Sequence, residues 1–131
     1  MNKRYLFYAL IPIMERGYNL QEIKILHWVF EKKISISEIS RELKIDYKNA
    51  HRYIKRLHKD GLIILDPPKP IQGKKVDITL SEKTLAEILT ELRALISRKD
   101  DSREIENLIQ ESGRKLRYIQ SQNRAGKISP K

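Results

Sequence analysis

One stretch of the chain, YKNAHRYIKRLHK at 47–59, sorts its side chains by chemistry. At helical spacing Ala50, Tyr53, Ile54 and Leu57 fall on one face. Tyr47, Lys48, Asn49, His51, Arg52, Lys55 and Arg56 fall on the other. Lysine and arginine neutralise phosphates, while an amide, a phenol and an imidazole hydrogen-bond the edges of bases. The same pattern on an isolated helix would be no more than a solvated basic face, so the flanking segments decide its meaning.

Those segments read as positioning elements. Ser35 and Glu38 have the spacing of a capping box, and Ile36, Ile39, Ser40 and Leu43 then share one helical face. Lys44-Ile45 is long enough only for a turn, and Asp46 is a suitable N-cap for the helix over 47–59. Ala50 is small where two steeply crossing helices must approach closely. Gly61 supplies the positive φ of a helix end, and Leu62-Ile63-Ile64-Leu65 begins a strand. Upstream, Asn19 and Glu22 make another capping box for a helix over 20–32. Its core face is Ile23, Leu26 and Phe30, widened by Ile25, Trp28 and Val29, and Trp28 reads as packing rather than as a ligand wall. Lys33-Ile34-Ser35 is a short extended connection.

A strand over 62–66 and an alternating strand over 76–80 enclose the segment Pro67–Lys75. The prolines remove amide donors and stiffen the loop, so the hairpin tip with Lys69, Lys74 and Lys75 is expected to be an exposed basic arm. After Ser81, a helix cap by type, Leu85, Ile88, Leu89, Leu92, Leu95 and Ile96 form an apolar stripe. Asp100-Asp101-Ser102 interrupts it, and Ile105, Leu108, Ile109, Leu116 and Ile119 line a further helix weakened at Gly113. Two such stripes exceed what a small domain needs and would be an aggregation hazard if exposed, which predicts burial against a second copy of the chain.

The chain has 131 residues, enough for one domain with a helical appendage. Its 27 Lys+Arg against 17 Asp+Glu leave a net charge of +10, which favours a polyanionic partner. There are no cysteines, so disulfides and thiolate metal sites are excluded. The apolar run Tyr5–Met14 lacks a small-x-small cleavage site and is too short to span a bilayer. It reads as an apolar helix or arm that Pro12 breaks or kinks and Gly17 ends, and no membrane association is expected.

Taken together, LQEIKILHWVF, ISISEISRELKID, NAHRYIKRLHKDGLI and LSEK make residues 20–96 resemble a winged helix-turn-helix transcriptional regulator, closest in pattern to the MarR group. Lys44 stands where that turn most often has Gly, which requires left-handed backbone at a small cost. Thr84 stands where the group usually has Gly, and the wing has prolines and lysines in place of an acidic, arginine-rich tip. The resemblance implies a mainly α fold with a small β-wing and added N- and C-terminal dimerisation helices. The corresponding division is an apolar helix or arm at 1–18, a winged helix-turn-helix at 19–80, a helical dimerisation region at 81–121 and a disordered basic tail at 122–131.

Carried over residue by residue, the pattern puts Tyr47, Lys48, Asn49 and His51 in the major groove of double-stranded DNA. Asn49 would suit adenine and Lys48 guanine. Arg52, Lys55 and Arg56 would hold phosphates, as would Ser37 and Arg41 on the preceding helix. Lys69, Lys74 and Lys75 would lie on the minor groove or its backbone. The resemblance also implies a homodimer, an unidentified small-molecule effector bound between recognition and dimerisation helices, and a cytoplasmic, nucleoid-associated location.

Enzymatic signatures are missing. His27, His51 and His58 are the only histidines, and no phosphate-cradling glycine loop or G-x-S-x-G is present. Asp66 and Asp77 flank the hairpin as ordinary strand-end aspartates. No catalytic residue, metal or cofactor is therefore expected. Two other readings stay open: an architectural DNA-binding protein similar to small archaeal chromatin proteins of the Sso10a type, and a winged-helix protein-interaction module.

Overall fold

Hydrogen bonds local in sequence set most of the element boundaries in the computed structural model, which describes residues 4–67, 75–96 and 102–124. The chain divides into two compact units, one formed by residues 18–81 and the other by helices from the two ends.

In the first unit, α2 (Leu20–Glu31) begins at Asn19 with both halves of the capping box formed. The amide of Glu22 donates to Asn19 Oδ1 at 2.9 Å, and the amide of Asn19 donates to Glu22 Oε1 at 2.9 Å. A short β1 (Ile34–Ser35) leads into α3 (Ile36–Leu43), where Ser35 and Glu38 repeat the arrangement. The turn after α3 is a Schellman motif. Lys44 sits at φ 54°, its amide donates to Arg41 O at 3.3 Å, and the amide of Ile45 donates to Ser40 O at 3.1 Å. The Ser40 hydroxyl closes the turn by donating to Ile45 O at 2.6 Å. Lysine thus adopts the left-handed backbone expected from its place in the turn.

The next helix, α4 (Tyr47–Lys59), starts at Asp46, but the aspartate side chain accepts no capping bond, contrary to expectation. Gly61, at φ 79°, terminates it through the same motif, with Leu62 N donating to Leu57 O and Gly61 N to His58 O. Strands β2 (Ile63–Asp66) and β3 (Asp77–Leu80) form the hairpin. The sheet has three strands in the order β1-β3-β2, both pairings antiparallel, with Ile34 opposite Ile78 and Leu65 opposite Ile78 on the other side. The third strand comes from the segment read as a mere extended connection. Ile23, Leu26, Phe30, Ile39, Ala50, Ile54, Leu57, Leu62 and Ile78 are buried, and Trp28 is half-buried.

The second unit joins α1 (Arg4–Met14), α5 (Glu82–Ile96) and α6 (Ser102–Arg124). The first helix runs on through Pro12, which falls in its last turn and so removes only a bond near the end. A turn ending in Gly17, at φ 106°, follows. Helix α5 packs on both α6 and α1. Leu85, Ile88, Leu89, Leu92, Leu95, Ile105, Leu108 and Ile119 are consequently buried in the single chain, and Ile109 and Leu116 are half-buried. From α1, Tyr5, Leu6, Ala9, Leu10 and Ile13 join the buried set. The side chain of Ile96 and the break at 100–101 lie outside the described residues.

Two polar ties hold the ends of this unit. Arg16 pairs with Glu87. Glu82 accepts from Gln120 Nε2 at 3.0 Å and from Asn123 Nδ2 at 3.2 Å, fixing the end of α6 beside the start of α5. Helix α6 therefore includes residues 122–124, which had been assigned to a disordered tail.

Replacing Lys44 by glycine removes the left-handed penalty but loosens the unfolded chain. The net expectation for Lys44→Gly is a gain of about 0.5–1 kcal/mol in urea unfolding. A loss of stability would show that the lysine side chain contributes more than its backbone costs.

Candidate nucleic-acid interface

The helix-turn-helix is built from α3 and α4, which pack on each other with Ala50 fully buried at the crossing. Ile39, Ile54 and Leu57 are buried around it, so the roll of α4 is fixed by its apolar face. What remains outward is Tyr47, Lys48, His51, Arg52, Lys55 and Arg56, all exposed. Asn49 and Tyr53 are half-buried. The rings of Tyr47 and His51 lie 6.4 Å apart, one turn along the helix, and the Arg52 guanidinium lies 5.7 Å from the Tyr53 ring. His58 and Lys59, not singled out from sequence, are also exposed at the end of α4.

Ser37 and Arg41 are exposed on α3. They line an open cleft of about 780 Å³ together with Tyr47, His51, Pro67 and Lys75. The cleft brings residues of α3, the start of α4 and the root of the wing to one surface. Of the three wing lysines, Lys69 and Lys74 lie outside the described residues.

Lys75 does more than project a charge. Its Nζ is 2.8 Å from Glu38 Oε1, which also accepts from the Ser35 amide at 3.2 Å and hydroxyl at 3.0 Å. The Lys75 ammonium first, and then the Ser35 donors, hold the Glu38 carboxyl down at about 2, well below the usual carboxylate range. The same contact pushes the Lys75 ammonium up. The glutamate that caps α3 therefore also ties down the root of the wing. Sequence spacing showed the cap but not the lysine, which is brought in by the hairpin.

Arg56, expected to hold a phosphate, is exposed and also has a partner within the chain. Its Nη1 lies 2.8 Å from Glu22 Oε1, and Glu22 is fully buried at the start of α2. The guanidinium also stacks over the Tyr18 ring at 4.7 Å, while the Tyr18 hydroxyl donates to Asp60 at 2.5 Å. Arg56 is thus drawn back toward α2, where it supplies the cation that a buried carboxylate needs. The capping box pointed to Glu22 as a local residue. Nothing local links it to a residue 34 positions later.

Asp66 and Asp77 face each other across the hairpin root in register. Among the described residues no group of three or more His, Cys, Asp or Glu is placed to hold a metal ion. No helix among them is long and apolar enough to cross a membrane.

Residues 23–64 match the family described as winged helix-turn-helix DNA-binding, a segment running from α2 into β2. Two solved structures from Thermotoga maritima share the fold. The transcriptional regulator Tm0710 is 16% identical with a TM-score of 0.55, over 93% of this chain and 89% of its own. A MarR-like transcriptional regulator, tm0816, is 19% identical with a TM-score of 0.52, over 92% of this chain and 98% of its own. No curated protein sequence gives a significant match. The chain accordingly has a winged helix-turn-helix fold like that of MarR-like regulators. The matched family is described as DNA-binding, and both neighbours as transcriptional regulators.

The Glu38–Lys75 contact gives a pH dependence with a definite sign. The folded-state pKa of Glu38 is depressed, so its contribution to stability is present above the ordinary value of 4.5 and fades as pH falls toward about 2. A carboxyl-carbon NMR titration of Glu38 is expected to have its midpoint near 2, and Lys75→Ala to move it toward 4.5. A wild-type midpoint in the ordinary glutamate range would remove the contact.

Proposed function

We propose that this winged helix-turn-helix chain is a sequence-specific, double-stranded DNA-binding transcription regulator that acts as a homodimer. The observation that carries the reading is the outward face of α4, where Lys48, His51, Arg52 and Lys55 are exposed on a helix whose roll is fixed by Ala50, Ile54 and Leu57. In this reading the first half of α4 enters the major groove, with Tyr47, Lys48, Asn49 and His51 toward base edges. Arg52 and Lys55 hold phosphates, as do Ser37 and Arg41 from α3. The wing, with Lys75 at its root and Lys69 and Lys74 beyond, follows the minor groove or its backbone.

Arg56 is left out of the contact set because Glu22 and Tyr18 engage its guanidinium. An effector acting on this protein remains part of the reading, and no described cavity assigns its chemistry.

Two half-sites about one helical turn apart require two copies of α4. The dimer surface we assign is the face formed by α1 and α5, where Tyr8 is 46% exposed beside Ile11, Pro12 and Ala94. Sedimentation equilibrium is expected to give a dimer that Tyr8→Glu weakens, and a wild-type monomer at all concentrations would exclude it.

Selection of genomic fragments by the purified protein at physiological salt is expected to enrich a few inverted repeats. On such a site Arg52→Ala is expected to weaken binding to every sequence and reduce the salt slope by about one. Asn49→Ala is expected to relax preference at one base position, at a cost of about 1–3 kcal/mol there. Arg56→Ala is expected to leave the salt slope unchanged while destabilising the fold by about 1–3 kcal/mol, because Glu22 loses its cation. Broad recovery without a shared motif would replace the regulator with an architectural protein. No recovery would point to a protein partner.

A further inference from the structure

The winged helix does not account for all of the chain's basic residues. From Ser112 to the end of the sequence there are Arg114, Lys115, Arg117, Arg124, Lys127 and Lys131 and no aspartate or glutamate. The first half of α6 is different, with Glu104, Glu106 and Glu111 beside Arg103. The inward face of α6 is fixed by buried Ile105, Leu108, Ser112 and Ile119. Opposite it, Arg114, Arg117, Tyr118 and Ser121 recur at i, i+3, i+4 and i+7, and all four are exposed, Tyr118 by 57%. Lys115 lies 3.8 Å from Glu111, but among the described residues no ion pair engages Arg114 or Arg117.

Cations also favour a helix C-terminus, but that effect is confined to the last turn. Arg114 and Arg117 lie about two turns or more before Arg124, so the helix dipole gives little reason for them. We propose that this face of α6 is a second contact surface for the sugar–phosphate backbone of duplex DNA, resting on the DNA-binding reading above. The chemistry selects that partner over two other polyanions. A membrane-surface helix inserts aliphatic side chains, and of those on α6 Ile105, Leu108 and Ile119 are buried and Ile109 and Leu116 half-buried. Single-stranded nucleic acid is held by successive stacked aromatics, and Tyr118 is the one aromatic residue of α6. What the face offers is charge with a hydroxyl donor, which suits backbone oxygens and carries no sequence information.

The test uses the full chain and a random-sequence duplex, with affinity measured between about 50 and 200 mM salt. The double substitution Arg114→Gln/Arg117→Gln is expected to leave thermal unfolding unchanged and to reduce the log–log salt slope by about two. Over that range the wild type then loses about tenfold more affinity than the variant. Arg114→Lys/Arg117→Lys is expected to keep the wild-type slope, since charge rather than a guanidinium fork is required. An unchanged slope for the glutamine pair, with a reduced slope for Arg52→Gln/Lys55→Gln, would overturn the α6 surface and leave the winged-helix reading standing. Binding to phosphatidylserine vesicles that the glutamine pair abolishes, with its DNA slope unchanged, would give the face to a membrane instead. If the wild type binds no duplex at low salt, the DNA-binding reading itself falls, and this proposal with it.

Discussion

A buried carboxylate governs how α4 is held. Glu22 is fully enclosed, and one of its oxygens receives both the Asn19 amide and the Arg56 guanidinium. Charge in such a place is tolerated only while it is paired and hydrogen-bonded. Any rotation that carries the end of α4 away from α2 would strand that charge, so the arrangement resists rotation more sharply than apolar packing alone. Tyr18 reinforces it by stacking on Arg56 and donating to Asp60 at the helix C-cap. Replacing such a pair by apolar residues often costs little, so its value here is orientation more than net stability.

What could be read from the sequence follows the range of the interactions involved. The capping boxes at Asn19 and Ser35, the helix over 47–59 and the stop at Gly61 are decided by residues three to five apart, and they were legible. The same locality made the left-handed Lys44 foreseeable, because a two-residue turn leaves few backbone choices. Asp46 does stand at the N-cap of α4, but residue type sets only the capacity to accept a bond and not its formation.

Partners distant in sequence were not legible. Periodicity showed that Leu85, Leu92, Ile105 and Ile119 face something apolar, and it is silent on whether that surface belongs to the same chain. Here α5 is covered by α1 and α6, helices separated from each other by the whole winged unit. Among the basic residues, type alone could not show that Arg56, exposed like Arg52, is the one that reaches the buried Glu22. The outward position of the polar face of α4 was therefore legible, and the supports behind it were not.

Ser35 belongs to three structures at once. It ends β1 and pairs with Asp77 at the root of the wing, it is the N-cap of α3, and through Glu38 it shares a hydrogen-bonded cluster with Lys75. The wing root and the first helix of the helix-turn-helix are thereby riveted at a single residue, with no slack of intervening loop. A force on the wing root would reach α3 through one strand and one carboxylate. The hairpin root then works as a lever whose fulcrum is the cap of a helix, so β3 and α3 move as one piece.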